Sequence, residues 1–290
     1  MIAELLLNGI ALGCVYSLIA LGFVLIFKAT GIVNFAQGDI MMLGSFFGLT
    51  TIGLWGMPYL LGFVCAVLAT AVCGYLFNRL LLQHVVGRPE FQIIMVTIGL
   101  GYILRTIAGV VPGWGSLPQR FATPFDGKVD VVFGMPVSQE RLVIVLVTAG
   151  LMVLLFLFFR FTRVGIAMQA ASQNKTAATL VGISVPGVNS LVWALGAGMA
   201  GVAGILIAPI TFVYPGVGYV GLLAFPAAVL GGFGSLPGAF VGGIVIGLLE
   251  VFSGFYLSEW VRNAAPYMAL LAVLFIRPSG LFGVRLQKKV

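Results

Sequence analysis

LLLNGIALGCVYSLIALGFVLIF fills residues 5–27 without a charged side chain, between Glu4 and Lys28. At 1.5 Å per helical residue such a run reaches roughly 34 Å, enough to cross the hydrocarbon core of a bilayer. A signal peptide is the competing reading, but the acidic Glu4 and the lack of a basic leader favour a span that is kept. The rest of the chain repeats the pattern: of 290 residues 61% are hydrophobic, 8% are charged and 40 are Gly. A soluble domain carries roughly 25% charged residues, so no ordinary core hides this much apolar surface. The expectation is an all-α polytopic membrane protein in one domain, residues 1–290. At about 20 residues per span, and with polar connections subtracted, eight to ten spans fit. A nucleotide-binding domain needs well over 100 residues, roughly, and no polar stretch here approaches that. Whatever drives this protein therefore resides in another chain.

Hydropathy places nine spans, near 5–27, 39–54, 58–78, 93–111, 142–159, 187–208, 219–233, 238–256 and 264–276. The segment 39–54 is short for a crossing, and the pair flanking GGFGSLPG (231–238) reads either as two spans or as one broken element. Basic residues accumulate in cytoplasmic loops, which fixes the parity. With the N-terminus outside and the C-terminus cytoplasmic, ten of the 15 basic residues fall inside: Lys28, Arg79, Arg88, Arg160, Arg163, Lys175, Arg277, Arg285, Lys288 and Lys289. Arg120, Lys128, Arg141 and Arg262 fall outside, and Arg105 lies within a span. Among the acids, Asp39 and Glu90 fall inside and most of the others outside. The net charge of +7 thus marks membrane orientation, not nucleic-acid binding. The longest outer loop is 112–141 and the longest cytoplasmic one 160–186.

Small residues recur every four positions at Gly9, Gly13 and Ser17, at Gly196, Ala200, Gly204 and Ala208, and at Gly234, Gly238 and Gly242. Such stripes let helix backbones approach closely in lipid; they describe a compact bundle, and equally one whose faces slide. No catalytic grouping emerges. The single histidine, His84, excludes Ser/His/Asp chemistry and a histidine metal site, and no cofactor is called for. GxGxxG at Gly196, Gly198 and Gly201 lies in an apolar span without a preceding strand, so it reads as helix packing. A GxxxxGK[ST] phosphate loop does not occur.

Charges inside spans are functional candidates because hydrocarbon disfavours them by several kcal/mol. Arg105 lies about a turn from the outer end of the fourth span, where it either snorkels to the interface or serves a pathway. Glu250 has three readings: it pairs with Arg105, lines a wet cavity, or faces a partner subunit. Two isolated charges make a poor proton relay. KATGIVNFAQGD (28–39) sets Asn34, Gln37 and Asp39 among glycines between apolar runs; it is either a capped turn with Asp39 at the start of the second span or a gate at a pathway mouth. Asn8 in the first span and Gly231, Gly232, Gly234 and Ser235 of the GGFGSLPG loop are further gate candidates. RFTRVGIAMQAASQNKTAATLVGISVPG (160–187) is basic, Ala-rich and helix-compatible from Arg163 to Val181, ending at Gly182 and Pro186. Its small alanines leave little apolar area for lipid and suit docking into another protein.

NFAQGDIMMLGS (34–45), RVGIAMQAASQNKTAATLVGI (163–183), AAVLGGFGSLPGAFVGGIVIGLLE (227–250) and LFIRPSGLFG (274–283) together resemble the inner-membrane permease subunit of the branched-chain amino-acid ABC importers. The resemblance implies a fold similar to the vitamin B12 type of importer permease, a bacterial inner-membrane location, and four kinds of partner: the lipid membrane, a second homologous permease, two cytoplasmic ATPases and a periplasmic binding protein. It further implies that 163–183 acts as the helix that couples to an ATPase. Arg163, Gly165, Ala170, Asn174, Thr176, Ala177, Ala178 and Gly182 are the contact candidates. Thr176 stands where the family has an acid, and Gln169 where it often has an arginine. Implied cargo is a branched-chain or related hydrophobic amino acid, or an amide, urea or aromatic acid within the same family. A stand-alone transporter or facilitator for a small neutral solute is the alternative class.

Overall fold

The computed structural model describes residues 2–85, 88–120, 123–125, 127–132 and 135–283. The expected basic tail, with Arg285, Lys288 and Lys289, lies outside the described residues, as does Asp126 of the outer loop.

Helices cover nearly every apolar run. They are α1 (Ile2–Thr30), α2 (Gln37–Gly48), α3 (Tyr59–Leu80), α4 (Glu90–Val110), α5 (Gln139–Phe161), α6 (Arg163–Gln173), α7 (Lys175–Leu180), α8 (Val185–Thr211), α9 (Gly218–Gly231), α10 (Leu236–Tyr256) and α11 (Glu259–Ile276). Six of these segments are long and apolar enough to cross a membrane: α1, α3 with its short extension to His84, α4 from Phe91, α5, α8 and α10. The expected span 39–54 is α2 continued by a π-helical turn, Leu49–Leu54. The expected 219–233 is the 14-residue α9, and 264–276 lies within α11. The two segments flanking GGFGSLPG are separate helices folded back on each other, because a Cβ on Gly242 would collide with Ala227 and one on Gly238 with Gly231. The loop at 112–141 holds a two-stranded antiparallel hairpin, β1 (Lys128–Val132) and β2 (Met135–Ser138).

α3 shows how lipid inverts the soluble pattern. Leu60, Val64, Leu68, Val72, Leu76 and Leu80 form an exposed stripe at four-residue spacing. Gly62, Ala66, Thr70, Gly74 and Asn78 form the buried one, with Gly62 against Thr51 and Ile52 and Thr70, Gly74 and Asn78 against α8. Large apolar side chains thus point outward and small or polar ones inward, because between helices only close packing and hydrogen bonds discriminate. A Cβ on Gly74 would come within 2.6 Å of the Trp193 carbonyl, and Asn78 Nδ2 donates to Ser190 Oγ at 2.9 Å.

α1 and α8 form the axis and are buried on nearly all sides through their middles. The first stripe joins α1 to α10: a Cβ on Gly13 would sit 2.7 Å from Ile244 Cα and one on Gly9 2.8 Å from Leu248. The second turns α8 towards α1 at Gly196 and towards α2 at Gly204. The third holds only in part, since Gly234 lies in the α9–α10 turn with nothing within 4 Å.

Candidate functional site

The end of the bundle that carries Lys28, Arg79 and Arg163 is capped by α6 and α7. The single helix expected over 163–181 is broken in two, because Asn174 leaves the helical conformation and its Oδ1 accepts from Ala177 N at 3.0 Å, capping α7. Thr162 caps α6 in the same way through Gly165 N at 3.0 Å. An Asn side chain satisfies orphan N–H groups at a new helix start as well as it competes with a continuing one. The candidate contacts divide by exposure. Arg163, Asn174, Thr176, Ala177 and Gly182 face outward; Gly165 and Ala178 are buried and Ala170 is half-buried. Gly165 is needed for packing, since a Cβ would lie 2.7 Å from Phe159 Cα. Gly182 ends α7 with φ +86, a left-handed position that glycine takes without strain. The sequence reasoning missed Leu180 and Val181, 83% and 76% exposed, which make the tip of this element apolar. Lys175 Nζ reaches back to the Thr30 carbonyl at 3.3 Å, satisfying one of the orphan acceptors at the end of α1.

The polar cluster does not sit at that surface. After Thr30 the chain turns inward. Asn34 Nδ2 donates to Gln37 Oε1 at 3.0 Å, Asn34 Oδ1 accepts from Ala36 N at 3.1 Å, and Gln37 Nε2 donates to the Gly196 carbonyl at 2.9 Å. Gly196 lies in the middle of α8, so α2 starts deep within the bundle. That explains why 39–54 is short for a crossing. Asn34 and Gln37 are both fully buried, with each amide partnered as burial demands.

Asp39 lies in the first turn of α2, near its N-terminus as expected, although no side chain makes a capping bond there. It forms an ion pair with Arg105 of α4, 66 residues away in sequence. The placement of Asp39 at the inner surface and the pairing of Arg105 with Glu250 are both corrected by this contact. A Cβ on Gly218, the first residue of α9, would lie 2.6 Å from Asp39 Oδ1. The carboxylate therefore meets the positive ends of two helices as well as a guanidinium. Arg105 in turn lies over the Tyr219 ring at 4.2 Å, a cation–π contact that hydropathy gave no reason to expect.

Glu250, on α10, is 3% exposed. It accepts from Tyr16 OH at 2.5 Å and from Arg262 Nε at 3.1 Å, and it borders a cavity at the end opposite α6 and α7. Two of its three readings are thereby separated, since it lines a cavity and is not the partner of Arg105. Asn8 borders the same cavity, far from the other gate candidates.

The GGFGSLPG loop has a local account. Gly231 ends α9, Gly232 adopts φ +96, and Ser235 Oγ caps α10 by accepting from Gly238 N at 3.1 Å. The segment 277–283 closes over it: Leu281 N donates to the Leu230 carbonyl at 2.8 Å and Phe282 N to that of Gly231 at 3.2 Å. Phe233 at its tip joins a run of rings that the sequence reading passed over. Phe27 and Phe233 have centroids 4.7 Å apart, Phe233 and Phe225 5.9 Å, and Phe225 and Phe35 5.7 Å. These rings link the loop to the residue beside Asn34, so two groups of gate candidates form one neighbourhood.

The chain is 32% identical over 288 residues to LivH of Escherichia coli K12, a high-affinity branched-chain amino acid transport system permease protein, across 95% of this chain and 94% of that one. It is 30% identical over 292 residues to BraD of Pseudomonas aeruginosa, described in the same words, across 96% and 94%. Its fold is similar to that of the solved PsaBC of Streptococcus pneumoniae in complex with Fab, with a TM-score of 0.52, 15% identity, and coverage of 96% of this chain and 97% of that one. The family model for the branched-chain amino acid transport system permease component matches residues 5–276. A multi-pass helical bundle with that match along nearly its whole length belongs to the family of branched-chain amino acid transport system permease components.

Proposed function

We propose that this chain is one of two permease subunits of an inner-membrane ABC importer for branched-chain or related hydrophobic amino acids. Two separate cytoplasmic ATPases drive it and a periplasmic binding protein delivers the cargo. Nine spans, with the N-terminus outside, put α6 and α7 on the cytoplasmic face. The family match over residues 5–276 carries this reading. The exposed apolar tip at Leu180 and Val181 supports it, because an outward apolar surface on a water-facing element suits a protein groove. ATP binding in the partners moves α6 and α7, and the close-packed helices tilt to open a path past Asn34, Gln37 and the GGFGSLPG loop.

The test compares Leu180→Asp and Gly182→Glu with the unaltered protein in membrane vesicles. Both positions are exposed; Gly182→Glu also strains the left-handed turn at φ +86, so Leu180→Asp is the variant expected to keep its membrane level, while ATP-driven leucine uptake and co-purification of the ATPase should be lost in both. Normal uptake in both variants would sink the coupling assignment.

A further inference from the structure

A cavity of about 610 Å³ lies at the end of the bundle opposite α6 and α7. Its wall is assembled from the start of α1, the start of α5, the ends of α8 and α10 and the start of α11. Half of its lining residues are aliphatic, yet Arg141, Glu250, Glu259 and Arg262 all border it. In a chain of 290 residues with only 8% charged, four charged side chains on one cavity are a marked concentration. Glu250 is committed to Tyr16 and Arg262. That bond fixes the Arg262 guanidinium by Nε and leaves its outer N–H groups turned to other acceptors. Arg141 and Glu259 form no ion pair with one another or with any other described residue. On the opposing wall, the side-chain carbonyl oxygen Oδ1 of Asn8 is buried without a hydrogen-bond partner. A buried acceptor in that condition carries an unrepaid desolvation cost until a donor reaches it.

An apolar chamber of this size, with cationic and anionic groups side by side and an orphan acceptor, has the composition of a ligand site. A purely cationic ligand would leave the two arginines facing it, and a purely anionic one would meet Glu259 and Glu250. The geometry points to a binding site for a zwitterion with an apolar tail. Its ammonium is met by Glu259 and Asn8 Oδ1, its anionic group by Arg141 and Arg262, and its tail by the aliphatic wall. An amino acid supplies this chemistry, and so does a phosphatidylethanolamine headgroup. The inference rests on the amino-acid transport reading for its first source only. It goes beyond that reading by giving the permease itself a place where cargo pauses.

The experiment uses the full chain in nanodiscs of phosphatidylglycerol, with no binding protein added, titrated by calorimetry with L-leucine and then with a short-chain phosphatidylethanolamine. Competition is measured with 4-methylpentanoate and with 3-methylbutylamine, which carry one charge each. Saturable leucine binding supports the amino-acid source if two conditions hold. Arg141→Gln and Glu259→Gln must each weaken it by about tenfold or more while Arg141→Lys largely restores it, and neither single-charge analogue may compete at equal concentration. Binding of the phospholipid alone, with the same variant pattern, supports the lipid source. Absence of both, indifference to the variants, or full competition by either analogue overturns the site. Thermal unfolding of each variant separates lost binding from lost fold. ATP-driven leucine uptake by the assembled transporter is scored in parallel: uptake without cavity binding defeats this inference alone, and absence of uptake defeats the transport reading.

Discussion

Replacing Asp39 by Asn should cost more than any surface change in this chain, and the structure gives the size. The carboxylate is 5% exposed and its partner guanidinium 20%. Breaking a buried pair by removing one partner costs about 3–5 kcal/mol, because the other charge is left uncompensated. Arg105 keeps the Tyr219 ring at 4.2 Å, which places Asp39→Asn at the lower end, about 3 kcal/mol. Arg105→Gln should be milder, about 2 kcal/mol, because a stranded carboxyl can take up a proton and neutralise itself. The double variant restores a neutral pair and should be no worse than the milder single one, so the coupling energy is about 3 kcal/mol. Thermal unfolding in detergent, followed by tryptophan fluorescence, should show Tm lowered by about 6–12 °C for Asp39→Asn. If both single variants unfold within about 2–4 °C of the unaltered protein and their effects add, the pair is solvated and the reasoning fails.

Gly243→Val should drive α1 from α10, because even a Cβ there would lie 2.6 Å from Ser17 Cα; the expected outcome is about 3 kcal/mol or more of destabilisation, read as loss of folded protein in detergent, whereas Gly234→Ala, with nothing within 4 Å of its Cβ, should behave like the unaltered chain. Phe233→Ala removes a ring from the chain of phenylalanines that joins the GGFGSLPG loop to Phe35. It should raise passive leak of a small solute through the assembled transporter in liposomes without ATP, and an unchanged leak would rule these rings out as a barrier.

The apolar runs announced the helices because nothing else in the chain competes with hydrocarbon for them, and the small-residue stripes of α1 and α8 announced which faces would touch. Depth was illegible. Hydropathy places a segment inside or outside the membrane, but it does not say that the residues after Thr30 turn back, so the meeting of Asp39 with Arg105 left no trace in composition or spacing. The same blindness hid Glu250 and Arg262, which lie on different helices joined by a sharp turn. The break at Asn174 was legible in principle, since an Asn followed three residues later by a bonded N–H is an ordinary capping signal. It was masked because alanines continue on both sides, and a helix propensity scan reads through it.

The bond from Lys175 to the last carbonyl of α1 gives that helix a mechanical character. α1 has 29 residues, so its length is roughly 43 Å. One end is held by α7; its middle is tied to α10 through Tyr16 and Glu250, and its other end carries Asn8 into the far cavity. Packed against α10 and α8 through its middle, such a strut shifts only together with the core around it. Any pull that reaches α1 through α7 is therefore shared by that core, and the wall of the cavity at Asn8 moves only as far as the core itself does.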